Sequence, residues 1–422
     1  MRLAFALLCA LTATALAGPP SKTLERAIKL YDRQDFTSAT IELHKVIAGD
    51  AGDDDENRDR AMFFLGKSLF QLGYYVPSYS VFEQITQKGT AHRYYTATIK
   101  WYLALAEHLP PSFGNLAKFT AKDVQDPINH SVQDQLAYRR GLLALHLNKL
   151  ADAARELATV PKTSPHYGRA MLALGFVKLR GKKPGDAVAT FALVPAGDEA
   201  ADLAALASGQ QLVRERKWDA ALAAYGRVTA KSPLATRAAW ETSWVGLAKQ
   251  GKAPNKLGLA ASTLILEPSG PESPTLFGAV AFDFCSNKQA LDALAGFRAD
   301  ALAIEKQLET ILADSKDTAA FYAKHVGKLR GGTAKTLSPR LQMLAHLALN
   351  GPLVSGRVAL VTEIERELAV LQSSDKAWQT TQIAANVQGD LVLAKSVAEA
   401  DVGFVARVRL KQLAADLATL AA

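Results

Sequence analysis

The sequence predicts an all-α chain built from repeated helix–turn–helix units, and three observations carry that prediction. Small residues recur at a fixed interval of 34, at Gly141, Gly175, Gly209 and Ser243. Ala153, Ala187 and Ala221 keep the interval, as do Leu157, Phe191 and Tyr225, and Val160, Val194 and Val228. Pro165 and Pro233 share one register. Apolar residues also return every three or four positions over long stretches. Val358, Val361, Ile364, Leu368 and Leu371 are one example, and that is the spacing of one helix face. Lastly, 28 Gly and 17 Pro in 422 residues are too few for the turns of an all-β chain.

Each residue type suits its place in the unit. A glycine in the first helix lets the second helix approach closely. Twelve residues later a second small residue, Ala153 or Ala187, meets the same crossing from the other side. The large residue one turn further on, Leu157, Phe191 or Tyr225, fills the remaining gap. Proline near the end of a unit stops the second helix. The turns read as Asn148-Lys149, Gly181 to Gly185 and Arg216-Lys217.

The small-to-small spacing finds further units at Ala27 with Ala39, Gly66 with Ser78, and Gly278 with Ala290. Phe82 takes the filling position in the second of these. A degenerate unit from Tyr94 to Phe119, with Trp101 and Leu105 on its first helix and Pro110-Pro111 breaking it, bridges Gly66 and Gly141. About eight units thus span residues 18–297. Beyond Phe297 the period fades and the helical pattern continues. A long helix ends at Gly331-Gly332, a short one runs over Leu341 to Leu349, and a last stretch runs from Trp378 to Ala422. Residues 298–422 are expected to form a C-terminal helical cap, which a repeat array needs to cover its last stacking face.

The 34-residue helix–turn–helix unit resembles the tetratricopeptide repeat (TPR). The first two units, Ala27 to Ala48 and Ala61 to Ile85, are similar to exported, periplasmic TPR proteins of bacterial envelope and motility machinery. The resemblance implies a right-handed solenoid whose first helices line a concave, partner-binding groove. By register it assigns Phe63, Lys67 and Phe70 to that groove, then Tyr138, Leu142 and His146, then Arg169, Phe176 and Arg180. Gln210 and Arg214 follow, then Arg237, Trp240 and Trp244. Aromatic and Arg side chains dominate protein interfaces. Inter-unit packing is the competing reading for the aromatics, above all for Trp240 and Trp244. Four Arg with no acidic residue at the assigned positions predict an acidic partner segment. The carboxylate clamp of chaperone-binding members needs paired Lys and Asn where Tyr138 and Leu142 stand.

Composition bounds the function. Hydrophobic residues at 49% and charged residues at 21% supply a core and argue against disorder. The net charge of +8 is spread thinly, and no basic run with interleaved aromatics predicts nucleic-acid binding. Two Cys exclude a disulfide scaffold and a multi-cysteine metal site. Met1-Arg2, the apolar stretch Leu3 to Ala13 and the small residues of Ala15-Leu16-Ala17 lay out a secretory signal peptide over residues 1–17. Leu8 before Cys9 argues against lipid anchoring. No later stretch approaches ~18 uninterrupted apolar residues. The mature chain is expected to be periplasmic.

Candidate chemistry is sparse. Gly66-Lys67-Ser68 imitates a phosphate loop, but Ala61 stands where that loop needs Gly, and the tripeptide lies inside a helix. Glu272-Ser273 matches the catalytic pair of lytic transglycosylases without the groove-building sequence that follows it there. The 8 His form no helical metal pair. Asp53 to Glu56 reads as a solvated acidic loop, and Cys285 as a small buried residue. No catalytic residue, metal or cofactor is assigned. The expectation is a non-catalytic protein–protein scaffold or adaptor of the cell envelope. The alternatives are an outer-membrane assembly helper and a divergent cell-wall glycosidase.

Overall fold

The computed structural model describes residues 18–109, 116, 118–250, 287–334 and 336–421, and every regular element among them is helical. The expected signal peptide, Pro110-Pro111, Glu272-Ser273, Gly278 and Cys285 lie outside the described residues. The chain divides into two compact units, Met1–Trp101 with Glu367–Leu391, and Tyr102–Arg366 with Val392–Ala422. This division does not follow the boundary expected at 297/298. Residues 367–391 belong with the N-terminal helices instead.

The first unit opens with two hairpins, α1 (Lys22–Asp32) with α2 (Phe36–Ala48), and α3 (Asp55–Gln71) with α4 (Tyr75–Gln87). Ser21, Asp35 and Asp54 cap the first three helices by accepting from the N–H of Leu24, Ser38 and Asn57. The acidic stretch at Asp53 is not simply solvated. Asp53 is 5% exposed, and its carboxylate accepts from the Ser21 N–H at 2.9 Å and hydroxyl at 2.6 Å. The short helix α5 (Thr98–Leu105) follows, and α6 (Ala121–Gln125) already belongs to the second unit.

The second unit carries three hairpins of nearly equal size. They are α7 (Gln133–His146) with α8 (Leu150–Ala158), α9 (Tyr167–Arg180) with α10 (Pro184–Phe191), and α11 (Ala201–Arg214) with α12 (Trp218–Tyr225). The longer helix α13 (Ala235–Gln250) follows them. Each helix packs on the next, and first helices of successive hairpins also touch: α1 on α3, α7 on α9, α9 on α11, α11 on α13.

The period has a steric cause. A Cβ built on Gly66 would stand 2.8 Å from the Phe82 ring, and one on Gly141 2.5 Å from Leu157. At Gly175 and Gly209 it would overlap Phe191 and Tyr225. Phe82, Leu157, Phe191 and Tyr225 are all 2% exposed or less. Each ring or branched chain therefore fills the space that the missing methyl leaves in the facing helix.

A second feature keeps the same register. Gln34, Gly73, Asn148, Lys182 and Arg216, each seven residues after the small residue of its hairpin, have φ of 65°, 77°, 57°, 58° and 57°. The next residue's N–H reaches back over the helix end, as in Lys149 to Ala144 O at 2.8 Å and Lys183 to Lys178 O at 2.9 Å. This left-handed closure caps the first helix and turns the chain into the second. Gly181, the residue that composition would place there, keeps a negative φ of −76° while Lys182 takes the left-handed position.

Toward the C-terminus the long helix expected to end at Gly331-Gly332 is broken. α14 (Asn287–Asp314) stops, and Asp317 caps α15 (Thr318–Phe321). A π turn over Tyr322–Val326 leads into α16 (Gly327–Arg330). Then come α17 (Pro339–Leu349), α18 (Pro352–Ser373), α19 (Lys376–Gln379) and α20 (Gln382–Ala421). In the second unit Gly403 of α20 lies against the Thr318 carbonyl, where any Cβ would clash, and Arg407 donates to the Ser315 carbonyl. Lys395–Glu365 at 2.9 Å and Arg357–Asp401 at 2.7 Å tie α20 to α18 there. In the first unit Glu367, 0% exposed, takes the Val76 N–H on both oxygens at 3.2 Å. It supplies the cap that Tyr74, before α4, does not make with its own side chain. Tyr74 stacks on Trp378 at 6.2 Å.

Two substitutions test this reading. Gly175→Leu should cost ~1–3 kcal/mol or more by overpacking against Phe191. Lys182→Gly should stabilise by roughly 1 kcal/mol, because only Gly escapes the left-handed penalty. Denaturant melts giving both changes the same sign would contradict it.

Candidate functional site

The first helices of the N-terminal unit present a ring cluster around one cation. The Lys67 ammonium lies 4.4 Å from the Tyr31 ring centre, 4.3 Å from Phe64, and 5.8 Å from both Phe63 and Trp101. Among the described residues no carboxylate pairs with it, and burial pushes its pKa below that of an ordinary lysine. The four rings come from α1, α3 and α5, so three successive first helices converge there. Sequence reasoning found Lys67 and Phe63 but missed Tyr31, Phe64 and the cage role of Trp101. Tyr31 stands four residues after Ala27, in the place of Phe70 after Gly66, so the register itself could have named it.

The structure sorts the other expected groove residues into three groups. Phe63, Tyr138 and Trp240 are 8%, 8% and 9% exposed, and for them the packing reading prevails. Phe63 stacks on Tyr94 at 4.5 Å, Tyr138 on His166 at 5.5 Å, and Trp240 meets Trp244 edge-on at 5.9 Å. Trp244 is half-buried, and its indole N–H is buried without an acceptor. Phe70 and Phe176 are also half-buried, against Trp101 at 5.4 Å and Phe191 at 5.3 Å. His146, Arg180 and Arg214 are exposed.

The arginine stripe is not free of acids. Arg169 pairs with Glu199 at 3.1 Å, and Arg237 pairs with Glu241 at 3.0 Å. Glu241 also accepts from Gln210 at 2.9 Å, so this carboxylate, one residue off the assigned register, closes the stripe at that end. Arg180 donates to the Leu145 carbonyl at 3.1 Å. Of the four arginines Arg214 alone has no partner among the described residues. Glu107, exposed in the turn after α5, lies 2.7 Å from Arg139. Burial raises its pKa, and Arg139 overrides this and holds it below the carboxylate range.

A separate cavity of about 510 Å³ lies in the first unit, lined by His44, Met62, Leu69, Val81, Asn386 and Asp390. Its walls come from α2, α3, α4 and α20. Asn386 approaches His44 at 3.2 Å. Among the described residues no group of His, Cys, Asp or Glu could hold a metal ion. No single helix there is long and apolar enough to cross a membrane.

Three histidines give the fold a pH dependence. Burial holds His44, His92 and His166 below the ordinary histidine value. Asp50 and Asp59 oppose this at His44 and His92, while Lys88 and Arg169 reinforce it at His92 and His166. The unfolded chain therefore takes up protons first, at about pH 6.5, while the fold keeps the rings neutral. Stability is full above that pH and falls as pH drops toward the lowered folded values. The melting temperature should decline from pH 7.5 to 5.5, and His92→Asn should flatten the decline. An unchanged slope in that variant would refute His92 as a contributor.

Comparison with known protein families and with characterised proteins finds no match for this chain.

Proposed function

We propose that the chain is an exported, non-catalytic scaffold of a bacterial cell envelope. In this reading the hairpins form a TPR-like right-handed solenoid whose first-helix face binds partner proteins. The observation that carries it is the Lys67 cage: an ammonium held by four rings, on converging first helices, with no carboxylate paired to it among the described residues. Cation–π contacts are worth about 0.5–2 kcal/mol each at best and leave the ammonium's outward donors free for a partner's acceptor. Arg214, unpaired among the described residues, offers a second cation on the equivalent face of its hairpin. Partner segments with carboxylates and apolar side chains suit both places. The pairing of Arg169 and Arg237 narrows the acidic-partner reading to these two cations.

The N-terminus fits cleavage before Gly18. The Gly18 nitrogen donates to Asp54 at 2.6 Å, and the Asn57 amide donates to the Gly18 carbonyl at 3.0 Å. With Ser21 held on Asp53, a new α-ammonium at Gly18 would meet a carboxylate already in place. The hydrogen bonds from the Asn57 and Gly18 N–H groups lower the Asp54 pKa.

Two measurements test the proposal. N-terminal sequencing of exported protein should start at Gly18, and an intact Met1 would reject export by this route. A photo-crosslinking side chain at position 67 or 214 should give discrete adducts in envelope fractions. The same probe at Arg155 on α8, a second helix, should not. Equal labelling at all three positions would remove the first-helix face as the binding surface.

A further inference from the structure

The three hairpins of the second unit turn at one edge, and that edge is basic. The turns at 147–149, 181–183 and 215–217 carry Lys149, Lys182, Lys183, Arg216 and Lys217 against one carboxylate, Glu215. The connections between hairpins, at 159–166, 192–200 and 226–234, are nearly three times as long. They hold only Lys162, Arg227 and Lys231, against Asp198 and Glu199. Contacts between hairpins bring the turns side by side. Arg180, at the end of α9, donates to the Leu145 carbonyl near the end of α7 at 3.1 Å. Lys249, at the end of α13, pairs with Asp219 in the first turn of α12. Since α7 touches α9 and α9 touches α11, the turns form a row with a step on the order of 10 Å.

The cations of this row are spare. Lys149, Lys182, Lys183 and Arg216 are exposed and make no ion pair among the described residues. Lys217 alone pairs, with Glu215 at 2.8 Å. Lys182 and Arg216 also sit at φ of 58° and 57°, a backbone that glycine adopts freely and a long side chain only at a cost. Neither side chain has a hydrogen bond or ion pair among the described residues to set against that cost.

We propose that this edge docks on an anionic membrane surface, with the phosphate-bearing headgroups of lipids as its ligand. A row of unpaired cations on short turns is complementary to a plane of negative charge, and each Lys or Arg at such a surface adds about fivefold in affinity. A protein partner is held instead around an apolar, closely packed centre. The turns offer one exposed large apolar side chain, Leu147 at 50%. At a lipid surface that leucine enters the headgroup layer while Lys149, two residues on, stays with the phosphates. The first-helix face, with Lys67 and Arg214, plays no part in this contact.

Co-sedimentation of the full chain with vesicles tests this, comparing phosphatidylcholine alone with an equal mixture of phosphatidylcholine and phosphatidylglycerol. The chain should favour the anionic vesicles at about 0.1 M salt and leave them at about 0.5 M. Lys149→Gln, Lys183→Gln and Arg216→Gln together remove one cation per turn and should weaken anionic binding about a hundredfold. Lys162→Gln, Arg227→Gln and Lys231→Gln together remove the same charge from the connections between hairpins. They should cost no more than about threefold, because that edge faces away from the lipid. Both triple variants should melt as the parent does, since all six side chains are exposed. Equal binding to both kinds of vesicle overturns the proposal. So do equal losses in the two triple variants, which would reduce the attraction to net charge. Tighter binding to poly-glutamate than to anionic vesicles at matched charge concentration would also overturn it, by giving the edge to an acidic protein segment.

Discussion

The fold depends on one steric exchange: a glycine in a first helix yields its side-chain volume to a large residue in the second. Phe82, Leu157, Phe191 and Tyr225 each occupy that volume and are all but excluded from water. Burying such a side chain is worth ~1.5–3 kcal/mol, which outweighs the roughly 0.5–1 kcal/mol that a helical glycine costs. The exchange fixes the rotation of the two helices about their axes as well as their distance. With the rotation fixed, the residues on the far side of the first helix are fixed too. That is why Lys67, one position beyond Gly66, ends among the rings of neighbouring first helices.

The turn is the second half of the same device. Five hairpins place a residue at φ between 57° and 77°, seven positions after the small residue. Four of the five are not glycine, so each accepts the left-handed cost of ~1–2 kcal/mol for an L-residue. The closing hydrogen bonds and the buried ring opposite offset that cost. A glycine there would relieve the strain and loosen the unfolded chain.

Much of this was legible in the sequence because sterics acts at fixed spacing. The interval of 34, the small-to-large pairing and the helical continuation to the C-terminus all follow from residue size and period. The site was legible only in part, because burial and pairing depend on neighbours that the period does not name. Register assigns Tyr138 and Trp240 to a groove, but stacking on His166 and the edge-on contact with Trp244 bury them. Glu199 and Glu241 cancel Arg169 and Arg237 from positions just outside that register. Electrostatic partners at the edge of a repeat are set by loops and helix ends, where the period carries least information.

The joining of residues 367–391 to the N-terminal helices had no sequence signal, since no repeat links Glu367 to Val76. Their contact spans 291 residues. Loop-closure entropy grows only as (3/2)RT ln n, so this contact costs at most about 2 kcal/mol more than closing one 34-residue repeat. Trp378 is 3% exposed, and truncating a buried tryptophan typically costs 3–5 kcal/mol, so its packing offsets that penalty. The buried Glu367 carboxyl adds a side-chain cap to α4, whose own preceding residue makes none. Hairpins α7 to α12 need only local contacts, whereas the N-terminal unit is complete only once the C-terminal helices exist.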